Sequence, residues 1–290
     1  MLDLQGRVLW PKKYWRFQFA GNLVACTEGG KLELRDNDGR SISSAGYDET
    51  VSLSEKTLLA VNHETGLGTI FSNQGQIVAP KIQVGDGVLS HGLLPVQGPD
   101  DRYGYIDANG TPKIPYSFYF AASFSAVGTA LVGALDATGK YRVGLIDVSG
   151  KVILPLEYED IFFAEDTYTT VKDNQWQILD RQLKPLIRPL ASPIRYLGNR
   201  LYVAYRVRHK LEYQRGSIWS GQKARLKWQG DRTVSGVYEF DGNLILSTDE
   251  FDDETSPWPS SDGLVAFKSK DLWGFKRTGN ASRRQVNSPP

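Results

Sequence analysis

Apolar residues recur along this chain in short runs, too brief for helices and separated by turn-forming residues. NLVAC, LLAV, LLPV, TALV, YTTV, LYVA and LVAF end at Cys26, Val61, Val96, Val132, Val171, Ala204 and Phe267, which lie 35, 35, 36, 39, 33 and 63 residues apart. A second mark keeps the same phase. It is an Asp-x-x-Gly step between two apolar segments, often followed five residues later by Pro. It occurs in LDLQGRVLWP, LRDNDGRSIS, IFSNQGQIVAP, YIDANGTPKIP, LIDVSGKVILP, ILDRQLKPLIRP, YEFDGNLILS and FKRTGNAS. The Gly position falls at Gly6, Gly39, Gly75, Gly110, Gly150, Leu183 (in the Gly place), Gly242 and Gly279.

Two independent marks with one period define a repeat array. The Asp carboxylate caps a tight turn and the Gly accepts positive φ, which together predict a hairpin. The post-turn Pro cannot donate to a ladder and is expected at a strand end. No window sustains a 3.6-residue apolar period, so the class is all-β with three or four short strands per unit. Such units hide their edges by stacking or by closing into a ring. The first hairpin lacks a leading strand and the last unit lacks a trailing one, which favours a ring completed from both termini. Seven copies of the LVAF-type strand predict a β-propeller of about seven small blades, a single repeat-built domain over residues 1–290. An eight-bladed count and an open solenoid are the alternatives.

The units resemble the WG-containing repeat of bacterial proteins. That repeat has an aromatic-Gly pair, two apolar residues, Asp, two spacers, Gly, then Pro, Tyr and an apolar strand. YGYIDANGTPKIP (Tyr103 to Pro115) and RVGLIDVSGKVILPLEY (Arg142 to Tyr158) match best. DLWGFKRTG (Asp271 to Gly279) holds a literal Trp-Gly but has Lys276 in place of the Asp, and Trp176-Gln177 keeps the Trp without the Gly. The resemblance implies a bacterial binding platform without a recognised catalytic set.

Composition narrows the chemistry. The 290 residues carry 34 basic and 33 acidic side chains, which argues against a wholesale nucleic-acid binder. One cysteine, Cys26, excludes an intrachain disulfide framework, and three histidines make a His-built metal site unexpected. No metal and no cofactor is expected. The repeated Asp3, Asp36, Asp107, Asp147 and Asp180 suit turn capping better than catalysis. His63 and His91 lack partner motifs, and neither a Gly-x-Ser-x-Gly nucleophile nor a phosphate-binding loop is present. Hence no catalytic residue is assigned. The acidic stretch Ser247 to Glu254 lacks the loop spacing of a calcium site. Ile114 to Leu135 carries no charge, but its Pro, Gly and Ser residues and its place in the repeat argue against a membrane span. No signal peptide is visible at the start, which points to the cytoplasm, or to the periplasm if the N-terminus has been trimmed. A polar tail, residues 280–290, is expected to be disordered.

One interval breaks the period: Leu183 to Gly242 spans 59 residues. The excess lies within residues 205–236, and from Arg206 to Arg232 eight Lys and Arg face two acidic residues, a net +6 against −5 for the rest. Charges alternate there with Tyr, Trp, Leu and Ile, which predicts a long basic hairpin inserted into the array. The candidate partner-binding residues are Arg206, Arg208, Lys210, Tyr213, Arg215, Trp219, Lys223, Arg225, Lys227 and Trp228. The reading is a non-catalytic protein-binding module with an acidic protein partner. Its most concrete form is an immunity or inhibitor protein that blocks a cognate bacterial toxin. The alternatives are a carbohydrate-active hydrolase or lyase using the axial face, and nucleic-acid binding through the basic arm.

Overall fold

The computed structural model describes residues 17–20, 22–28, 31–84, 88–98, 100–164, 167–207, 211–214, 225–228, 232–247, 258–259, 263–269 and 272–278. The expectations for Asp3, for the Gly6 and Gly279 turns and for the tail 280–290 lie outside them. Strands and turns account for the described residues, without a helix. Among the described residues no helix is long and apolar enough to cross a membrane. The charge-free stretch from Ile114 is divided among three strands.

Seven repeats are present among the described residues, each an antiparallel meander. The first comprises β1 (Phe17–Ala20), β2 (Leu23–Glu28), β3 (Lys31–Asp36) and β4 (Ser41–Tyr47). The second comprises β5 (Glu49–Ser52), β6 (Thr57–Asn62), β7 (Leu67–Ser72) and β8 (Ile77–Val84). The far end of β8 also pairs with β9 (Leu94–Gln97), which continues through β10 (Tyr103–Ile106) to β11 (Pro112–Phe118). Repeats two and three therefore share one seven-stranded sheet. The fourth repeat is β12 (Phe120–Ala121), β13 (Thr129–Leu135), β14 (Tyr141–Asp147) and β15 (Val152–Tyr158).

The fifth repeat has β16 (Asp160–Ala164), β17 (Thr167–Lys172) and β18 (Gln175–Leu179). The sixth has β19 (Ile194–Gly198) and β20 (Leu201–Val207), then an inserted ribbon of β21 (Leu211–Gln214) and β22 (Arg225–Trp228), then β23 (Arg232–Glu239) and β24 (Leu244–Ser247). The seventh has β25 (Trp258–Pro259), β26 (Leu264–Ser269) and β27 (Leu272–Arg277). The chain forms two compact units, Met1–Leu156 with Ser217–Gln222, and Glu157–Gly216 with Lys223–Pro290.

Burial of both sheet faces explains the apolar runs that mark the repeat. Within the first unit, Leu58 and Ala60 of β6 join a cluster with Leu23, Leu34 and Phe71, while Leu59 between them packs with Ile70, Leu94 and Ile106. Within the second, Tyr202 and Ala204 of β20 pack with Trp176 and Ile178, whereas Leu201, Val203 and Tyr205 pack with Val237, Leu246 and Val265. Successive residues of a strand point to opposite faces. A strand sandwiched between two clusters is therefore apolar at every position, not at alternate ones.

The turn chemistry is as the sequence predicts. Asp107 Oδ1 accepts the N–H groups of Asn109 (2.8 Å) and Thr111 (3.0 Å), and Asp147 Oδ1 those of Ser149 (2.9 Å) and Lys151 (3.1 Å). Gly110 and Gly150 follow with φ of 76° and 83°. Leu183, in the Gly place of the fifth repeat, is driven to φ 62°. That region costs an L-residue roughly 1–2 kcal/mol.

The post-turn Pro differs from expectation. Pro80, Pro115 and Pro155 lie inside β8, β11 and β15, not at strand ends. β11 and β15 are the outermost strands of their sheets. The register shifts beside Pro80 and Pro115, so that Tyr103 opposes Phe118 while Tyr105 opposes Ile114. An outer or bulged strand needs no donor at such a position. This placement also explains the Gly of the repeat. A Cβ on Gly104 would lie 2.6 Å from the Ile114 carbonyl oxygen and 2.9 Å from the Pro115 carbonyl carbon. On Gly144 it would lie 2.6 Å from the Leu154 oxygen and 2.8 Å from the Pro155 carbon. Gly and Pro, eleven residues apart in the sequence, are one cross-strand contact.

Two stability outcomes follow from these contacts. Gly144→Ala presses a methyl group into backbone and is expected to cost about 1–3 kcal/mol in thermal or urea unfolding. Leu183→Gly relieves the left-handed turn and is expected to stabilise by up to about 1 kcal/mol in the same assay.

Candidate basic hairpin and its surroundings

The inserted ribbon grows from the two central strands of the sixth repeat. β20 and β23 pair from Leu201↔Glu239 to Val207↔Arg232, with a register shift between Ala204 and Tyr205 opposite Gly236 and Val234. Such a bulge increases local twist and redirects the strands beyond it. Next in the chain, β21 and β22 form a two-stranded sheet of their own, which pairs Leu211↔Trp228, Glu212↔Lys227, Tyr213↔Leu226 and Gln214↔Arg225. Two rows alternate along the ribbon. Leu211, Tyr213, Leu226 and Trp228 share one set of register positions, and Glu212, Gln214, Arg225 and Lys227 share the other.

Five of the ten sequence-predicted residues fall in described strands, one in the sheet of the sixth repeat and four in the separate two-stranded ribbon. Arg206 lies in β20 opposite Thr233, while Tyr213, Arg225, Lys227 and Trp228 lie in the ribbon. Arg208, Lys210, Arg215, Trp219 and Lys223 fall outside the described residues.

Titratable groups elsewhere are mostly turn caps. The Ser149 hydroxyl and backbone N–H, with the Lys151 N–H, hold Asp147 below the usual carboxylate range. Burial pushes Asp107 upward, but the Thr111 and Asn109 N–H groups and Lys113 outweigh it and lower it. His63 pairs with Glu49 at 3.1 Å on an exposed surface, and His91 meets the Ser125 carbonyl oxygen at 2.9 Å. No group of three metal-ligating side chains occurs among the described residues.

Asp160 is the exception. It opens β16, and burial pushes its carboxyl up to about 6, against a single opposing hydrogen bond from the Ile161 N–H. Neither composition nor motif marked it, because the signal is burial at a strand start.

The sequence model of the WG containing repeat matches residues 103–132 and 144–176. The first match runs from β10 into β13 and the second from β14 into β18. These segments are WG-containing repeats, and they include the Gly104–Pro115 and Gly144–Pro155 contacts. No curated protein sequence matches the chain. Among solved structures, the chain is similar to Hsv2 from Kluyveromyces lactis, with 11% identity, 65% of this chain and 69% of that one covered, and a TM-score of 0.36. It is also similar to the WD40 β-propeller domain of Doa1, with 14% identity, 81% and 85% covered and a TM-score of 0.28. A eukaryotic initiation factor gives 9% identity, 89% and 71% covered and a TM-score of 0.39. The described residues form an all-β array of antiparallel repeats.

The raised Asp160 carboxyl sets a pH dependence. Folding favours its protonated form, so stability is full at low pH and declines as pH rises from about 4 through about 6. The loss reaches up to about 3 kcal/mol. Asp160→Asn is expected to flatten this decline in urea melts across that window and to be the more stable chain at pH 7.

Proposed function

We propose that the protein is a non-catalytic protein-binding module whose basic ribbon grips an acidic protein partner. In its most concrete form it is an immunity or inhibitor protein, with the ribbon obstructing the acidic cleft of a cognate toxin enzyme. An array of antiparallel β repeats supports the general reading, since such arrays place their insertions in exposed loops, often on the binding face.

The observation that carries the reading is the ribbon's register. It sets Tyr213 and Trp228 in one row and Arg225 and Lys227 in the other. Aromatic residues and Arg are the side chains that anchor protein interfaces. The +6 charge of the segment speeds encounter with an acidic surface. The rest of the chain, at −5, offers no extended track for phosphates, which disfavours a nucleic-acid role for the ribbon.

A photo-crosslinking residue at position 213 should capture one acidic protein from the native host, and the same residue at the exposed position 152, outside the ribbon, should not. In the reconstituted pair, Arg225→Glu combined with Lys227→Glu should weaken binding about tenfold or more, chiefly by slowing association. Its melting temperature should stay unchanged. Undiminished affinity in that variant would remove the ribbon from the interface.

A further inference from the structure

The fifth repeat departs from its neighbours at the Gly–Pro contact, and the departure opens a cleft. Gln177 of β18 stands where repeats three and four have Gly104 and Gly144. Its Nε2 donates to the Ile187 carbonyl oxygen at 3.1 Å, so the outer segment is held a side chain's length away. The segment carries one extra residue before its Pro, at Pro189. Leu186 N–H donates to the Ile178 oxygen at 2.8 Å, and Leu190 and Trp176 exchange two bonds of 2.8 Å. Three residues on the outer segment thus lie between bonds only two residues apart on β18. That is a bulge, and a bulge re-aims a side chain. Ile187 is buried in the core, while the next residue, Arg188, is exposed.

Beside the bulge lies a cavity of about 760 Å³, within the size range of small-molecule sites. One wall is the bulged segment with Leu186, Arg188 and Leu190. The other is the face of β20 and β23, where Tyr202 and Tyr238 stack with ring centroids 5.5 Å apart. Asp241, in the β23–β24 turn, completes that wall.

Charges of opposite sign therefore face the cleft from two different repeats. Burial raises the Tyr202 hydroxyl, and of the two charges Arg188 opposes this and Asp241 adds to it, so both lie near that hydroxyl. Yet no ion pair joins Arg188 to Asp241, and Arg188 makes no hydrogen bond among the described residues. The Asp241 carboxylate accepts from Asn243 N–H at 3.0 Å and Asn243 Nδ2 at 2.9 Å, one bond per oxygen, and each oxygen retains a free lone pair.

We propose that this cleft binds a zwitterion with an aromatic side chain, as a free α-amino acid or a short peptide. The ligand's carboxylate meets Arg188, its ammonium meets Asp241, and its ring lies against the Tyr202–Tyr238 wall. A guanidinium is the side chain best matched to a carboxylate, and the two charges, not paired with each other, are each open to the oppositely charged end of one ligand.

Calorimetric titration of the full chain tests the assignment. The probes are L-phenylalanine, L-phenylalanyl-L-phenylalanine, N-acetyl-L-phenylalanine and L-phenylalaninamide. The two zwitterions should bind saturably, and each singly blocked form should bind about tenfold or more weakly. Stronger binding of the dipeptide than of phenylalanine identifies the peptide as the source, and the reverse identifies the free amino acid. Arg188→Gln, at an exposed position that leaves the fold intact, should abolish the preference for phenylalanine over its amide. Asp241→Asn should abolish the preference over the N-acetyl form. Absence of saturable binding, equal binding of the blocked forms, or an Arg188→Gln variant with unchanged preference would overturn the proposal.

Discussion

Most of the described repeats depend on a central strand buried on both faces. Leu58, Leu59 and Ala60 are almost wholly buried, as are Leu201, Tyr202 and Val203, though neighbours in each trio point to opposite sides of their sheet. Burial of a Leu- or Val-sized side chain contributes roughly 1.5–3 kcal/mol, so three or four such positions dominate the energetics of a strand this short. The dependence is mutual, because a sheet of this kind cannot bury its second face without the next one. Turn caps, bulges and outer prolines then accommodate the meander to that packing.

This packing also decides what could be read from the chain. Two-faced burial writes itself as continuous apolar runs, and the capped turn writes itself as Asp-x-x-Gly, so the strands, the hairpins and the repeats among the described residues were legible. The prolines were misplaced because a missing donor matters only where a donor is needed. On β11 and β15 the outer edge has no neighbour in its sheet. The Gly–Pro relation was invisible as a contact, since its two members stand on different strands and only the register brings them together. Leu183 was legible as a departure from the repeat, and its positive φ shows that the turn's geometry overrides the preference of the residue filling it.

The two candidate surfaces differ in kind. The basic ribbon announced itself through a broken interval and a local excess of charge, both properties of a continuous segment. The cleft gave no such signal. Its walls come from Gln177, the bulge around Arg188, the β20–β23 face and the turn at Asp241, which are far apart in sequence and ordinary one by one. What the chain did hold was the pairing of two departures in the same repeat, a Gly replaced by Gln177 and one extra residue before Pro189. Each compensates for the other. A side chain at position 177 needs room, and the added residue supplies the slack.

The double-sided burial of the central strands limits how this protein can change length over evolutionary time. A residue inserted into β6 or β20 would swap the two faces downstream and send each side chain into the wrong cluster. Insertions therefore survive at hairpin tips or in outer strands, or else arrive as whole repeats that bring both of their faces with them. The ribbon between β20 and β23 and the bulge in the fifth repeat are the two kinds of growth this lattice of contacts permits, and novelty should accumulate in those places while the interior stays modular.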